Sequence, residues 1–234
     1  MPKDLRQIIP IGGGGFYRDG DNLGLERYVI QQTGVDNPRV AFVPTASGEP
    51  DHYVASFYSA FLKLGCRPSV LTFFKRTPEL RSFLLNQNVI YVGGGNTKSM
   101  LAVWRDWSMP ELLREAWESG VVLTGVSAGA ICWFEQGLTD SFSDGLRPLA
   151  GLGFLPGSCC PHYDGEPERR QTYHRLLACE EIAAGIAIED WTAVHFLGVE
   201  RTRVVAARAG ARAYSMRNVY GSVQEVPLPV EYLT

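Results

Sequence analysis

Short apolar runs, rich in β-branched residues, recur along the first half of the chain, and each ends at a glycine, a proline or a charged turn. The runs are continuous rather than alternating, which is typical of parallel strands that are covered on both faces. Five runs of this kind occupy residues 8–11, 40–43, 70–74, 89–92 and 121–124.

Helical stretches separate several of these runs. Residues 53–64 place apolar side chains on one helical face, and residues 98–107 form a second candidate helix. Strands that alternate with helices predict an α/β fold with a doubly wound, mostly parallel sheet and helices on both faces. Residues 193–200 and 203–208 are strand-like, with only Arg201 and Thr202 between them, so we expect an antiparallel hairpin near the C-terminus.

Length and composition predict a single compact domain. Hydrophobic residues make up 45% of the chain, and nothing marks a boundary, so residues 1–234 are expected to form one domain. The net charge of −3 and the absence of basic tracts argue against a nucleic-acid or membrane partner. Whether the chain is a monomer or a homodimer stays open.

Charge and cysteine usage also predict a cytoplasmic location. Residues 1–6 carry too many charges for a signal peptide, and no apolar run is long enough to span a bilayer. The five cysteines follow no metal-ligand spacing, and free thiols in a reducing compartment are the simplest account of them.

The strongest chemical signal is the pentapeptide at residues 125–129, which reads Gly-Val-Ser-Ala-Gly and follows a predicted strand. In this pattern a strained turn exposes the serine hydroxyl at the start of a helix, here expected over residues 128–136. Ser127 is therefore the predicted nucleophile of a serine hydrolase, and the N–H of Ala128 is a predicted oxyanion donor. The alternative is an ordinary helix-capping serine.

Two glycine-rich loops follow other predicted strands. In the first, Gly94 or Gly95 is expected to supply the second oxyanion N–H, because glycine lets a backbone approach a reacting carbonyl closely. Asn96 comes next and is expected either to contact the substrate or to cap the following helix. The second loop, residues 12–15, does not fit the spacing of a dinucleotide-binding motif, so a structural use is favoured there.

A serine nucleophile needs a base and an orienting acid. The chain has four histidines, and His162 is the favoured base because it lies where a predicted strand meets a loop. A short strand over residues 186–188 ends at Glu189 and Asp190, which places two carboxylates at a strand terminus.

Four sequence segments together resemble the peptidase E and cyanophycinase family of serine peptidases. They read Phe-Val-Pro-Thr-Ala at 42–46, Val-Gly-Gly-Gly-Asn-Thr at 92–97, Gly-Val-Ser-Ala-Gly-Ala at 125–130 and Pro-His-Tyr at 161–163. The likeness spans residues 8 to 208 and implies a sheet like that of class I glutamine amidotransferases. It implies Ser127 as nucleophile, His162 as base, and hydrolysis through an acyl-enzyme without a metal or other cofactor.

The third member of the triad is where this chain departs from the family pattern, which has a glutamate followed by x-Thr/Ser-Ala. Asp190 occupies that frame here and Glu189 precedes it. We favour Asp190 as the acid, then Glu189, then Asp140, since an acid in that region has also been proposed for the family.

The resemblance implies a short peptide as the substrate, with aspartate at its N-terminus as one preference. Arg169 and Arg170 follow His162, and a guanidinium can bind a carboxylate bidentately, so both are candidate substrate-binding residues. Broad specificity for small N-terminal residues is the alternative. A cyanophycinase-like activity, a non-peptide amidase or esterase, and a non-catalytic sensor on the same fold also stay open.

Overall fold

The structure, a computed structural model, describes residues 6–233 apart from the side chain of Pro167; residues 1–5 of the charged start lie outside that range. The strands within it are β1 (Gln7–Ile11), β2 (Arg39–Val43), β3 (Arg67–Val70), β4 (Val89–Val92), β5 (Val122–Val126), β6 (Phe134–Phe142), β7 (Gly145–Ala150), β8 (Leu155–Cys160), β9 (Gly185–Ile188), β10 (Thr192–Leu197), β11 (Glu200–Ala206), β12 (Ala213–Val219), β13 (Ser222–Pro227) and β14 (Glu231–Tyr232). The α-helices are α1 (Gly24–Gln31), α2 (Asp51–Lys63), α3 (Leu80–Leu85), α4 (Thr97–Asp106), α5 (Met109–Glu118), α6 (Ala128–Ile131) and α7 (Pro167–Ala178).

The first sheet has eight strands in the order β14-β11-β10-β1-β5-β4-β2-β3. Strands β1, β5, β4, β2 and β3 are parallel to one another, which confirms the predicted doubly wound sheet. The outermost strand, β3, begins and ends earlier than the apolar run at 70–74 because its register pairs Arg67 with Arg39. Pro68 is tolerated there, since an edge strand does not need every N–H.

Helices cover both faces of this sheet, and the alternation of side chains along each strand divides the core between them. Phe42 in β2 packs with residues of α1 and α2 on one side, whereas Val43 packs with residues of α4 and α5 on the other. Both faces are therefore apolar, which explains why the strands read as continuous hydrophobic runs rather than as alternating ones.

The hairpin near the C-terminus is formed by β10 and β11, which pair antiparallel as expected. Its turn lies at Gly198 and Val199 rather than at Arg201 and Thr202, both of which belong to β11. Gly198 has φ +56°, a conformation that glycine adopts without steric cost and that the arginine or threonine would adopt less readily. The difference follows from this local turn chemistry.

A second sheet, which the hydrophobic pattern did not predict, has six strands in the order β13-β12-β9-β8-β6-β7. Helix α6 ends at Ile131 rather than at residue 136, because the backbone from Phe134 onward pairs with β7 and β8. Phe134 and Leu155 join the core under the first sheet, and the opposite face of the second sheet packs against α7. The two sheets therefore share one continuous core.

None of the helices between residues 6 and 233 has the length and apolar character that a membrane crossing requires.

One ionisable side chain, that of Glu26 on α1, is fully buried between the glycine loop after β1 and the aromatic core. Its Oε1 accepts the N–H of Phe16 at 2.8 Å, and its Oε2 has no hydrogen-bond partner within the described chain. The tyrosines Tyr53 and Tyr91 face it, and burial raises the pKa of Glu26 from 4.5 to about 7. The N–H of Phe16 favours the charged carboxylate, but burial outweighs it, so the folded chain holds the proton of Glu26 more tightly than an exposed glutamate does.

The stability of the fold should consequently fall between pH 4.5 and 7. The folded chain holds this proton more tightly than the unfolded chain, so stability is fully present below pH 4.5 and is lost as the pH rises through the folded pKa. In Glu26→Gln this part of the pH dependence should disappear, a difference of about 3 kcal/mol across the window. Urea unfolding at pH 4.5 and pH 8 measures it, with the exposed Glu111→Gln as control. If the free energy of unfolding changed with pH in the same way in wild type and Glu26→Gln, the raised pKa of Glu26 would be contradicted.

Candidate active site

Ser127 lies at a sharp turn between β5 and α6, with φ +58° and ψ −110°. Such a backbone is strained for a residue with a side chain. The hydroxyl makes no capping hydrogen bond to the helix that follows, so the helix-capping interpretation fails. Ser127 is also tied to β1, because its N–H donates to the carbonyl of Ile11 at 3.2 Å.

The glycines on either side of Ser127 allow the turn to pack directly on β4. A Cβ on Gly125 would lie 2.6 Å from the carbonyl oxygen of Val92, and a Cβ on Gly129 would lie 2.3 Å from the same atom. Both distances are too short for real contacts, so any side chain at these positions would push the turn away from the sheet.

His162 and Asp190 follow neighbouring parallel strands of the second sheet, β8 and β9, and their side chains meet. Nδ1 of His162 and Oδ1 of Asp190 are 2.7 Å apart. Burial alone would raise the pKa of Asp190, but the hydrogen bond and charge of His162 and the positive charges of Arg18 and Arg208 lower it below its ordinary value. Asp190 is therefore a carboxylate at neutral pH, and it fixes the ring orientation of His162.

The glycine loop at residues 12–15 presses against this pair. A Cβ on Gly13 would lie 1.9 Å from Oδ1 of Asp190 and 2.6 Å from Nδ1 of His162. The loop also binds both segments through its backbone, since Gly12 O accepts the N–H of His162 and Gly13 O accepts that of Trp191. The expected structural use of this loop thus serves the site itself. The signal for this role in the sequence was the position of the loop directly after a predicted strand, β1. In the structure this strand lies beside β5.

The two other candidate acids have different surroundings. Oε2 of Glu189 accepts the N–H of Arg212 at 2.7 Å, and its Oε1 accepts the hydroxyl of Tyr214 at 2.9 Å, so this side chain joins β9 to β12. Asp140 lies in β6 with its side chain exposed, and Oδ2 is 3.9 Å from Nη2 of Arg169. Neither carboxylate hydrogen-bonds to His162.

Two cavities adjoin Ser127 and His162, and both residues line each of them. The larger, of about 480 Å³, is walled by aromatic rings, including Tyr17 and Tyr53, and has Arg18 at its edge. The smaller, of about 260 Å³, is walled by Asn96, Asp140, Glu166 and Arg169. We call them the aromatic cavity and the polar cavity.

Arg169 is almost fully buried in the wall of the polar cavity, where each of its three guanidinium nitrogens contacts a protein oxygen. Nη2 contacts Oε2 of Glu166 at 2.6 Å, and Nη1 donates to the carbonyl of Leu138 at 3.1 Å. The structure places Arg170 outside both cavities, where it is exposed and paired with Glu225 at 2.6 Å. Substrate contact by Arg170 therefore has no support in the geometry.

The glycine loop after β4 adjoins Ser127. The N–H of Gly94 donates to the hydroxyl of Tyr53 at 3.4 Å, whereas those of Gly95 and Ala128 find no acceptor within residues 6–233. Asn96 caps α4, since its Oδ1 accepts the N–H of Ser99 at 2.8 Å, and it also lines the polar cavity. Both expectations for Asn96 are thus compatible.

A serine at a strained strand-to-helix turn, sharing a cleft with a histidine paired to a carboxylate, is the arrangement of a serine hydrolase. Within the described residues, no three His, Cys, Asp or Glu side chains are grouped so that they could hold a metal ion.

Comparison with known proteins identifies the family. The model of peptidase family S51 matches residues 8–204, and the chain belongs to this family of serine-type peptidases. It is 48% identical over 230 residues to the uncharacterized peptidase YgaJ of Bacillus subtilis (strain 168), covering 98% of this chain and 100% of that protein. The resemblance to the peptidase E family is therefore confirmed.

Two solved structures share the fold. A peptidase from an acI-B1 actinobacterium superposes with a TM-score of 0.72 at 20% identity, covering 96% of this chain and 94% of its own. A candidate peptidase E from Listeria monocytogenes EGD-e superposes with a TM-score of 0.60 at 22% identity, covering 84% of this chain and 96% of its own. At these identities the likeness concerns the fold alone.

The 2.7 Å contact between His162 and Asp190 leads to a test of the acid. Asp190→Asn should lower kcat by about 10²–10⁴-fold, because the imidazole loses its tautomer and its counter-charge. Glu189→Gln is the matched control, since that carboxylate bonds elsewhere, and it should cost far less. Steady-state kinetics on a peptide substrate, with melting temperatures for both variants, give the comparison. A larger loss of kcat in Glu189→Gln than in Asp190→Asn would identify Glu189 as the acid.

Proposed function

We propose that this peptidase cleaves short peptides near their N-terminus through an acyl-enzyme on Ser127. The observation that carries the proposal is the His162–Asp190 pair beside a serine whose hydroxyl is free at a strained turn. His162 takes the proton of the Ser127 hydroxyl as the oxygen attacks the scissile carbonyl, and then gives it to the leaving amine. Water hydrolyses the resulting ester by the same route in reverse.

The oxyanion that forms in this attack needs donors that are not otherwise engaged. Gly95 and Ala128 meet this condition better than Gly94, whose N–H already has the Tyr53 hydroxyl as acceptor. The hydroxyl of Tyr53 stays protonated, because burial raises its pKa to about 12. We therefore assign the oxyanion site to Gly95 and Ala128, with Gly94 holding the loop in place.

The charges around the polar cavity favour the amino end of the peptide. Asp140 and Glu166 contribute two carboxylates against the single guanidinium of Arg169, which leaves the cavity net negative. A free α-ammonium group is stabilised in such surroundings. An acidic first side chain would have to compete with Glu166 for Arg169, so the second of our two specificity expectations, small N-terminal residues of varied type, fits the geometry better than strict aspartate recognition.

The nucleophile is tested by Ser127→Ala, which should leave the melting temperature unchanged and reduce turnover of dipeptides on the order of 10⁴-fold or more. A fluorophosphonate should add covalently to the wild type and not to the variant, as seen by mass spectrometry of the intact proteins. If Ser127→Ala kept more than about a tenth of the wild-type activity, the proposal would be contradicted. Labelling of Ser127 together with turnover of esters but of no peptide would instead identify a non-peptide esterase or amidase.

Recognition of the peptide's amino end is tested with Ala-Leu, Asp-Leu, Leu-Leu and N-acetyl-Ala-Leu. We expect Ala-Leu and Asp-Leu to agree in kcat/KM within about tenfold, and acetylation to lower kcat/KM by roughly 10–150-fold, the effect of losing a charged hydrogen bond. Asp140→Asn should reduce this discrimination against the acetylated peptide. A preference of about 100-fold or more for Asp-Leu that vanishes in Arg169→Ala would restore aspartate recognition by Arg169.

A further inference from the structure

Arg18 is a cation at the edge of the aromatic cavity. It has no role in the reaction described so far. It lines that cavity together with Tyr17, Tyr53 and His52, and it does not line the polar cavity. The side chain is exposed and makes no hydrogen bond or ion pair among residues 6–233, while its charge acts on Asp190 from a greater distance. An arginine that lines a substrate-sized cleft without a partner of its own is available to an anionic ligand.

The position of Arg18 is fixed by the chain on which it sits. Its N–H donates to the carbonyl of Gly15 at 3.0 Å, so it follows directly from the glycine loop that packs on Asp190 and His162. Phe16 in the same turn is bonded to the buried Glu26 at 2.8 Å. The guanidinium is also near enough to Asp190 to help lower the pKa of that carboxyl. Arg18 is therefore anchored at its backbone close to the reacting groups, with its side chain free.

The rest of the aromatic cavity suits the side chain that follows the scissile bond. The rings of Tyr17 and Tyr53 pack with their centroids 4.4 Å apart, and the hydroxyl of Tyr17 is 3.2 Å from Nε2 of His52. These faces offer apolar contact, and the cavity contains no carboxylate. The two cavities thus have opposite character: the polar cavity has excess negative charge and the aromatic cavity has a free positive one.

We propose that Arg18 binds the C-terminal carboxylate of the leaving residue, which makes the enzyme selective for peptides of two or three residues with both ends free. The inference rests on the proposed function and deepens it. Because Ser127 and His162 line both cavities, the scissile bond lies between them, with the ammonium end in the polar cavity and the carboxylate end in the aromatic one. An extended dipeptide spans roughly 7 Å, and a flexible arginine reaches the end of a peptide one residue longer.

The test compares Ala-Leu with Ala-leucinamide, which keeps the scissile bond and removes the terminal charge. In the wild type, kcat/KM for the free acid should exceed that for the amide by roughly 10–150-fold, as expected for a charge-assisted hydrogen bond. In Arg18→Gln this ratio should fall to about one. The ratio cancels any effect of the mutation on the His162–Asp190 pair, because both substrates use the same pair.

Arg208→Gln is the matched control. Arg208 also helps to lower the pKa of Asp190, but its guanidinium lies over the ring of Trp191, at 4.9 Å from the centroid, and does not line the aromatic cavity. This variant should keep the full preference for the free acid. A ratio near one in the wild type, or a preference that survives in Arg18→Gln or is lost equally in Arg208→Gln, would overturn the inference.

Binding separates this inference from the proposed function. Calorimetry with Ser127→Ala measures the affinities of Ala-Leu and Ala-leucinamide without turnover. A preference for the acid that disappears in Ser127→Ala/Arg18→Gln supports the role of Arg18 even if the wild type hydrolysed no dipeptide. Equal affinities for acid and amide, or no binding of either, would reject the role of Arg18 whatever the wild type hydrolyses.

Discussion

The close approach of bare backbone to the reacting side chains is the constraint on which the rest of the site depends. Gly13 lies against the His162–Asp190 pair, and a Cβ there would come within 1.9 Å of the Asp190 carboxylate. Gly129 lets the turn at Ser127 pack on β4, where a Cβ would be 2.3 Å from the Val92 carbonyl. The absence of a side chain at Gly13 lets the loop after β1 of the first sheet contact the pair carried by the second sheet, and its absence at Gly129 lets the turn at Ser127 pack on the neighbouring strand of its own sheet.

Much of this arrangement could be predicted from the sequence because its signals are local. Ser127 lies in a pentapeptide whose glycines flank a strand-to-helix turn, and Asp190 follows a short buried strand. The first sheet could be predicted equally well, because strands that are buried on both faces consist of continuous apolar runs. The confirmed part of the fold consists of strands whose burial can be inferred from their own residues, without knowledge of distant contacts.

The second sheet and the state of Arg169 could not be predicted in this way. Strand β8 contains Pro156 and Gly157, and β6 carries polar residues on a face that is only partly buried, so neither resembles a buried strand in isolation. Arg169 resembled a free substrate-binding arginine because the tertiary fold brings one of its partners, the carbonyl of Leu138, to it, and because the nearby Glu166 does not by itself indicate an ion pair. A carbonyl acceptor has no signature in the sequence, and an acidic residue three positions away is equally compatible with a solvated helix start.

The site also draws its members from both sheets: Ser127 follows a strand of the first, whereas His162 and Asp190 follow neighbouring strands of the second. The position of Ser127 relative to His162 and Asp190 therefore depends on the core that the two sheets share, which includes Phe134 and Leu155. Substitutions in that core, far from the cleft, would displace these three residues relative to one another without changing any of them.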